Sequence, residues 1–339
     1  MSKVVAIHGT DGFSGRWKDA ARAQGCQVRE VNGYDSDIMD QLRDCTAFLW
    51  HLNQDESADL QFARHVLRAC EVKGMRVFPT VATCTHFDDK IAQKYLLEAI
   101  DAPLAQTWAF YSERQAAQFL ECADYPLVFK LKRGAGSINV QLVRNRGEGM
   151  ALARRMFGAG ISPFPAGERI RRAMARARKR KQTSDPLLTR AARVMGRFLR
   201  QTLRAERERG YVLFQRFIAG NDCDTRVTVI GNRAFAFHRG VRPNDFRASG
   251  SGLISHLDLA SLPRAAINVA FEISRKLGFQ SMAYDFVHDP VTRQPMLLEM
   301  SFVFMAQAIH DCSGYLDAGG TWHAESIWPQ DVILEDLLS

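Results

Sequence analysis

Two carboxylates late in the chain have a spacing that suggests chemistry. In SMAYDFVHDPVTRQPMLLEMSFV two alternating apolar runs flank a polar turn. Antiparallel pairing about residue 292 sets Asp285 opposite Glu299, and the period of two puts Ser301 on the same side as Glu299. Facing acids repel each other and attract a cation. A hard divalent ion such as Mg²⁺, shared between carboxylates and nucleotide phosphates, suits this oxygen set better than zinc; two solvent-facing acids are the plainer alternative. A second cue is YPLVFKLKRGAGSINVQLV, which reads strand, glycine-containing loop, strand. Gly134, Ala135, Gly136 and Ser137 form a flap whose amides can cover phosphates, with Lys130 at the end of the preceding strand; an ordinary hairpin turn is the alternative. Near the start, His8-Gly9-Thr10-Asp11-Gly12-Phe13-Ser14-Gly15 has the spacing G-x-x-G-x-x-G rather than the dinucleotide pattern G-x-G-x-x-G. It is either a strand-to-helix turn or an anion contact, and it does not point to NAD. Cys223, beside Asp222 and Asp224, has no evident base and reads as a small buried residue.

The elements that must hold these groups follow from periodicity. The first third alternates strand-like runs (VVAIH, QVREV, TAFLWHL, RVFPT) with helical patterns through about residue 24, near 35 to 43 and from about 57 to 73, which predicts a small parallel α/β lobe. A helix with Asp88 or Asp89 at its start precedes Pro103, and a short helix covers about 112 to 122. After residue 210 the pattern turns β-rich. YVLFQRFI is followed by DTRVTVIGNRAFAFHR, where Gly231-Asn232 is a two-residue hairpin signal, and a helix is expected near 262 to 277.

The 339 residues are 46% apolar and 24% charged, a globular composition that excludes a disordered tail or a membrane bundle. No run approaches the roughly 20 apolar residues that span a bilayer, so a cytoplasmic protein is expected. Seven scattered cysteines without a C-x-x-C pair argue against a disulfide framework or structural zinc and read as reduced thiols. The net charge of +8 is uneven: residues 169–209 carry +12 and the remainder −4. This basic helical stretch, including Arg171, Arg172, Arg176, Arg178 and Arg180, is either a solvated amphipathic surface or a contact for an anionic partner such as a phosphate-linked acceptor or a membrane headgroup layer. Only Phe198 interrupts its second half, which argues against base stacking and nucleic acid.

Lys90 in FDDK, Lys130 in VFKLKRGAGS, the strand FQRFI, the DTR run and the Asp285 and Glu299 pair occur in an order that resembles the ATP-grasp superfamily, over about residues 85–158 and 211–305. D-alanine:D-alanine ligase, glutathione synthetase and the ligase that adds glutamate to a ribosomal protein are its familiar members. HRGVRPNDFRASGSG and LLEMS are most similar to the branch found beside surface-polysaccharide biosynthesis genes.

The resemblance implies an α/β fold with an N-terminal parallel lobe over 1–85, a central lobe with a phosphate flap over 86–160, a basic helical insertion over 161–210 and a C-terminal metal-bearing lobe over 211–339. It implies ATP and Mg²⁺ as cofactors. Lys90 and Lys130 would bind the α and β phosphates, Arg133, Gly134, Gly136 and Ser137 would form the flap, and Gln215, Arg216, Phe217 and Ile218 would form the hinge that reads adenine. Asp224 would meet the ribose. Asp285 and Glu299 would hold magnesium, with Glu299 bridging two ions; Ser301 stands where the family usually has Asn. Arg226, Arg239 and Arg247 would meet the substrate carboxylate and the transferring phosphoryl, two anions that suit a bidentate guanidinium. The implied activity is ATP-dependent carboxylate–amine ligation through an acylphosphate, joining an amino acid or other small amine to a carboxyl-bearing acceptor such as a uronic acid of a surface glycan. The alternatives are a kinase-like phosphotransferase of the same superfamily and a nucleotide-dependent binding protein that works through its basic helices. A homodimer is compatible with all three.

Overall fold

The run VVAIH is β-branched and apolar on both faces, as a strand covered on both sides must be. It forms β1 (Val4–His8), at the centre of a parallel sheet ordered β2-β1-β3-β4, with β2 at Gln27–Val31, β3 at Ala47–Trp50 and β4 at Arg76–Phe78. The computed structural model describes residues 3–9, 12–54, 56, 58–134, 136–163 and 207–339. The basic stretch expected as an insertion therefore lies outside the described residues from 164 to 206, as does Ala135 of the glycine loop. The chain divides into two compact units, Met1–Ala105 with Ile218–Ser339, and Gln106–Phe217. The cuts at 105/106 and 217/218 differ from the sequence boundaries at 85/86, 160/161 and 210/211.

In the first unit, helices α1 (Gly12–Ala23), α2 (Ile38–Gln41), α3 (Arg64–Val72, entered through a π turn at Asp59–Ala63), α4 (Val81–Cys84) and α5 (Lys90–Glu98) accompany this sheet. The predicted α/β alternation is what the structure has. Asp89 is the residue that starts α5: its Oδ1 accepts from the amides of Ile91 and Ala92 at 3.1 and 2.9 Å.

The second unit is an antiparallel sheet, β5-β8-β6-β7, built from β5 (Thr107–Phe110), β6 (Leu127–Lys130), β7 (Gln141–Val143) and β8 (Val212–Arg216), with α6 (Glu113–Cys122) and α7 (Arg146–Phe157) packed against each other. Phe129, Phe214, Leu120, Ala153 and Met156 are fully buried in it. Its two ends run side by side, since the Arg216 amide donates to the Gln106 carbonyl at 2.8 Å.

The rest of the first unit is an antiparallel sheet of β9 (Cys223–Ile230), β10 (Arg233–Gly240), β11 (Ile254–His256), β12 (Ser281–His288), β13 (Pro295–Ser301), β14 (Tyr315–Asp317) and β15 (Trp322–His323). Its order is β13-β12-β9-β10-β14-β15, with β11 also on β10. Helices α8 (Arg264–Leu277), α9 (Ala306–His310) and α10 (Pro329–Leu338) complete it. One continuous apolar core, with Trp17, Trp50, Phe48, Phe78, Ile267, Tyr284 and Phe286 all buried, serves both sheets of this unit. At about 1.5–3 kcal/mol per large apolar side chain, that shared core is the main force holding the parallel and antiparallel layers as one body. Among the described residues no helix is long and apolar enough to cross a membrane.

Candidate functional site

The site begins with a turn. Gly231 takes a left-handed φ of +54°, which a two-residue hairpin requires and glycine adopts without strain. It pins Ile230 opposite Arg233, and that register carried back along β9 and β10 places Asp224 opposite Arg239 and Arg226 opposite Phe237. On the other edge of β9, β12 pairs Asp285 with Arg226, and β13 in turn pairs Glu299 with Asp285, as the sequence register predicts. Directly opposed residues share a face. Glu299, Asp285, Arg226 and Phe237 thus form one row across four strands, with Asp224 and Arg239 in the adjoining row. The register of β12 and β13 shifts between Asp285 and Phe286, a bulge next to Glu299.

The row is tied by charge. Arg226 donates Nε to Asp285 Oδ1 at 2.7 Å and Nη2 to Oδ2 at 2.8 Å. Arg239 does the same to Asp224 at 2.7 and 2.5 Å and also reaches Asp285 Oδ2 at 2.8 Å. Two guanidiniums and two carboxylates therefore neutralise one another in a site where Arg239, Asp224 and Asp285 are all under 10% exposed. Burial pushes the Asp285 carboxyl up, but the guanidiniums of Arg226 and Arg239 outweigh it and hold Asp285 well below the usual carboxylate range. Asp224 is buried, with Arg239 as its hydrogen-bonded partner and Asp285 as a like charge. Burial dominates there, and its carboxyl rises to about 6.

Lys90 joins from the first turn of α5, its Nζ 3.7 Å from Glu299 Oε2. That helix is fixed to β13 by Gln93, whose Oε1 accepts from the Met300 amide at 3.2 Å while its Nε2 donates to the His86 carbonyl at 3.3 Å. Ser301 exchanges hydrogen bonds with the Val303 backbone, accepting at 3.2 Å and donating at 3.0 Å.

These partners differ from the roles the resemblance implied. The two facing acids do attract cations, but arginines supply them: Asp285 spends both oxygens on guanidinium N–H groups, and Asp224 spends both on Arg239 instead of standing open to a ribose. Among the described residues no three His, Cys, Asp or Glu side chains cluster as a metal site. The donor set fits one magnesium ion held through Glu299 and phosphate oxygens, a way this ion commonly binds, while Asp285, expected beside Glu299 as a magnesium ligand, has its oxygens on guanidinium groups. Arg247 belongs to the loop after β10. It clasps Asp245 two residues away at 2.7–3.1 Å, holding that carboxyl down at about 2, and so braces that loop. Ile218 is in a small apolar cluster with Ala105 and Val287.

In the second unit, Lys130 closes β6 opposite Leu213 and is buried. Gly134 and Gly136 after it have φ of +120° and +67°, and Ser137 and Asn139 are left-handed as well, in the connection between β6 and β7. Asn139 anchors that connection by donating to the carbonyls of Ser162 and Pro163 at 3.1 and 2.9 Å. Arg133 precedes its glycines. Gln215 is buried and donates to Thr107 Oγ1 at 3.0 Å, so of the expected hinge residues its side chain is committed to β5, whereas Arg216 is exposed and Phe217 half-buried.

Sequence reading missed a cavity of about 300 Å³ beside the arginines, lined by Arg226, Arg239, Phe237, Phe304, Met305, Ile309 and the small residues Ala248 to Gly252. The signal was present. The Gly231 turn register is enough to pair Arg239 with Asp224, and the ASGSG run is too small-sided to fill space.

No family model matches the chain, and no curated protein matches it in sequence. Solved structures do match. A RimK domain ATP-grasp protein from Sphaerobacter thermophilus is 17% identical with a TM-score of 0.56, over 99% of this chain and all of that one. The biotin carboxylase domain of the Hydrogenobacter thermophilus 2-oxoglutarate carboxylase, solved with MgADP, ADP and bicarbonate, is 13% identical with a TM-score of 0.61, over 100% of this chain and 70% of that one. The ATP-grasp ligase PsnB, solved with a minimal precursor, is 13% identical with a TM-score of 0.55, over 100% and 99%. The succession of a parallel α/β sheet, a small antiparallel lobe and a larger antiparallel sheet bearing the acidic row is, over its whole length, the ATP-grasp fold.

Proposed function

We propose that this protein is an ATP-dependent carboxylate–amine ligase. The observation that carries the reading is the row Glu299, Asp285, Arg226, joined by Arg239, on a sheet of the ATP-grasp fold, where a buried guanidinium, Arg239, and a half-buried one, Arg226, line a cavity sized for a small molecule. Nη1 of Arg226 and Nη1 of Arg239 have no hydrogen-bond partner among the described residues, and an anion in the cavity would supply one. Asp285 and Asp224 orient the guanidiniums by taking up their Nε and Nη2 edges. Arginine held in this way is prearranged for a carboxylate and for the charge that builds on an acylphosphate.

In this reading Lys90 and Lys130 are cations for the nucleotide phosphates. Arg133, Gly134, Gly136 and Ser137 offer the phosphate-covering turn, and Gln215 to Ile218 offer backbone groups to adenine. A magnesium ion bound with ATP would neutralise phosphate oxygens beside Glu299. The substrate carboxylate attacks the γ phosphorus, ADP leaves, and the amine then displaces phosphate from the acylphosphate to give the amide. Positioning and charge neutralisation carry most of such a reaction, and no protein nucleophile is required. The uronic acid of a surface polysaccharide is the acceptor suggested by the sequence likeness to that branch.

The test is ADP release from panels of carboxylates and amines, with the condensed product identified by mass spectrometry. Hydroxylamine should trap a hydroxamate. ADP release without hydroxamate would instead identify a phosphotransferase, and nucleotide binding without turnover on any pair a binding protein. Lys130→Ala and Glu299→Gln should each lower turnover at least about a hundredfold.

A further inference from the structure

The cavity beside Arg226 and Arg239 has an uneven chemistry. One end carries the two guanidinium groups. Its remaining lining is hydrocarbon or side-chain-poor: Phe237, Ile254, Phe304, Met305, Ala308 and Ile309, together with the loop from Ala248 to Gly252, whose only side-chain polar groups are two serine hydroxyls. Among the described residues no Asp, Glu, Asn, Gln or His lines it.

A sugar acid is poorly served by such walls. Each ring hydroxyl loses its hydration on entering and needs a replacement partner, at about 1–3 kcal/mol for each group left unpaired. An aryl or alkyl chain gains there what the hydroxyls lose, about 25 cal/mol for each Å² of apolar surface removed from water.

The loop side of the cavity is held in shape. Gly250 and Gly252 have φ of +74° and +78°, Arg242 donates to the Gly250 carbonyl at 2.5 Å, and Asp245 is locked by Arg247. Met305 is exposed, and it is the one lining residue after β13 that is not substantially buried.

We infer that the substrate carboxylate of this enzyme sits on an apolar body: Arg226 and Arg239 take the carboxylate through their Nη1 edges, and Phe237, Phe304, Met305 and Ile309 take an aryl or alkyl chain. This rests on the ligase reading for its role but not for its binding chemistry. It replaces the uronic acid expected from the sequence with a hydrophobic acid.

Binding of three probes to the full-length protein without nucleotide, followed by titration calorimetry, tests it: 4-phenylbutyrate, the matched alcohol 4-phenylbutan-1-ol, and D-glucuronate. Phenylbutyrate is expected to bind at least tenfold more tightly than either of the others. Met305→Glu, a change at an exposed position, is expected to weaken phenylbutyrate at least fivefold and leave ATP affinity unchanged. Glucuronate binding as tightly as phenylbutyrate overturns the inference, as does equal binding of the alcohol, which would remove the arginines from recognition. Failure of all three to bind to protein that binds ATP overturns it as well. The two proposals fail separately. Tight phenylbutyrate binding with no ADP release on any amine would leave the cavity assignment standing and defeat the ligase, whereas amide formation from glucuronate would do the reverse.

Discussion

Replacing Arg239 with methionine removes three contacts at once, two to Asp224 at 2.7 and 2.5 Å and one to Asp285 at 2.8 Å. What remains is two carboxylates, each under 10% exposed, facing the single guanidinium of Arg226. An uncompensated buried charge costs about 3–5 kcal/mol, and methionine keeps most of the volume, so nearly all of the loss is electrostatic. The size of the effect should then depend on whether Asp224 is ionised. Its folded carboxyl is already raised to about 6, above the unfolded value near 4, so between those values the folded chain holds a proton that the unfolded chain has lost. Stability from this group therefore falls as pH rises through that window, and without Arg239 the window extends further upward. In urea melts of the first unit, followed through the buried Trp17 and Trp50, Arg239→Met should cost about 3–5 kcal/mol at pH 8 and markedly less at pH 5. Adding Asp224→Asn restores neutrality, so the double variant should recover about 2 kcal/mol of that loss at pH 8. A coupling below about 0.5 kcal/mol, or an equal cost at both pH values, would refute the claim that these four side chains act as one charge-balanced unit.

Three other perturbations have signs fixed by the structure. Gly33 has no room for a methyl, because an added Cβ would lie 2.3–2.9 Å from the ring of the fully buried Trp50; Gly33→Ala should lower the urea midpoint by the equivalent of about 1–3 kcal/mol, and an unchanged midpoint would show that the ring moves freely. His86 is buried, with both ring nitrogens unbonded among the described residues, and burial lowers its pKa to about 4. The unfolded chain binds that proton below about 6.5, so stability on the order of 3 kcal/mol should be lost as pH falls from 6.5 to 4, and His86→Phe should flatten that slope. Gln280 accepts from the Thr80 amide at 2.8 Å and donates to the Val77 carbonyl at 2.8 Å, tying β4 to the start of β12; Gln280→Ala should cost about 1–3 kcal/mol in the same melt.

The first lobe was legible because its strands are apolar runs punctuated by glycine and helix starts, and periodicity alone orders VVAIH, QVREV, TAFLWHL and RVFPT. The acidic hairpin was legible too, since one turn near residue 292 sets the Asp285 and Glu299 register. The arginine partners were not read from it, because a hairpin argument stops at its own two strands and Asp285 meets Arg226 across a pairing of segments 59 residues apart. The role of Ser301 was hidden for another reason. Period two gives the face of a residue but not whether its hydroxyl will turn to the backbone of Val303. The cavity was hardest, because it is made by three segments that share no local pattern: β10, the loop after it and the turn after β13.

The side-by-side ends of the second unit carry a consequence for how such a chain is assembled. The Arg216 amide meets the Gln106 carbonyl, while Ala105 and Ile218, just outside, belong to one small apolar cluster with Val287. The polypeptide passes from one unit to the other only twice, at 105/106 and at 217/218. The entropy of joining the flanks is set by that narrow gap, not by the length that lies beyond it. A short glycine–serine tether from 105 to 218 should leave the larger body with a complete core, and the excised piece, its termini already adjacent, is suited to circularisation or to transplantation into another host.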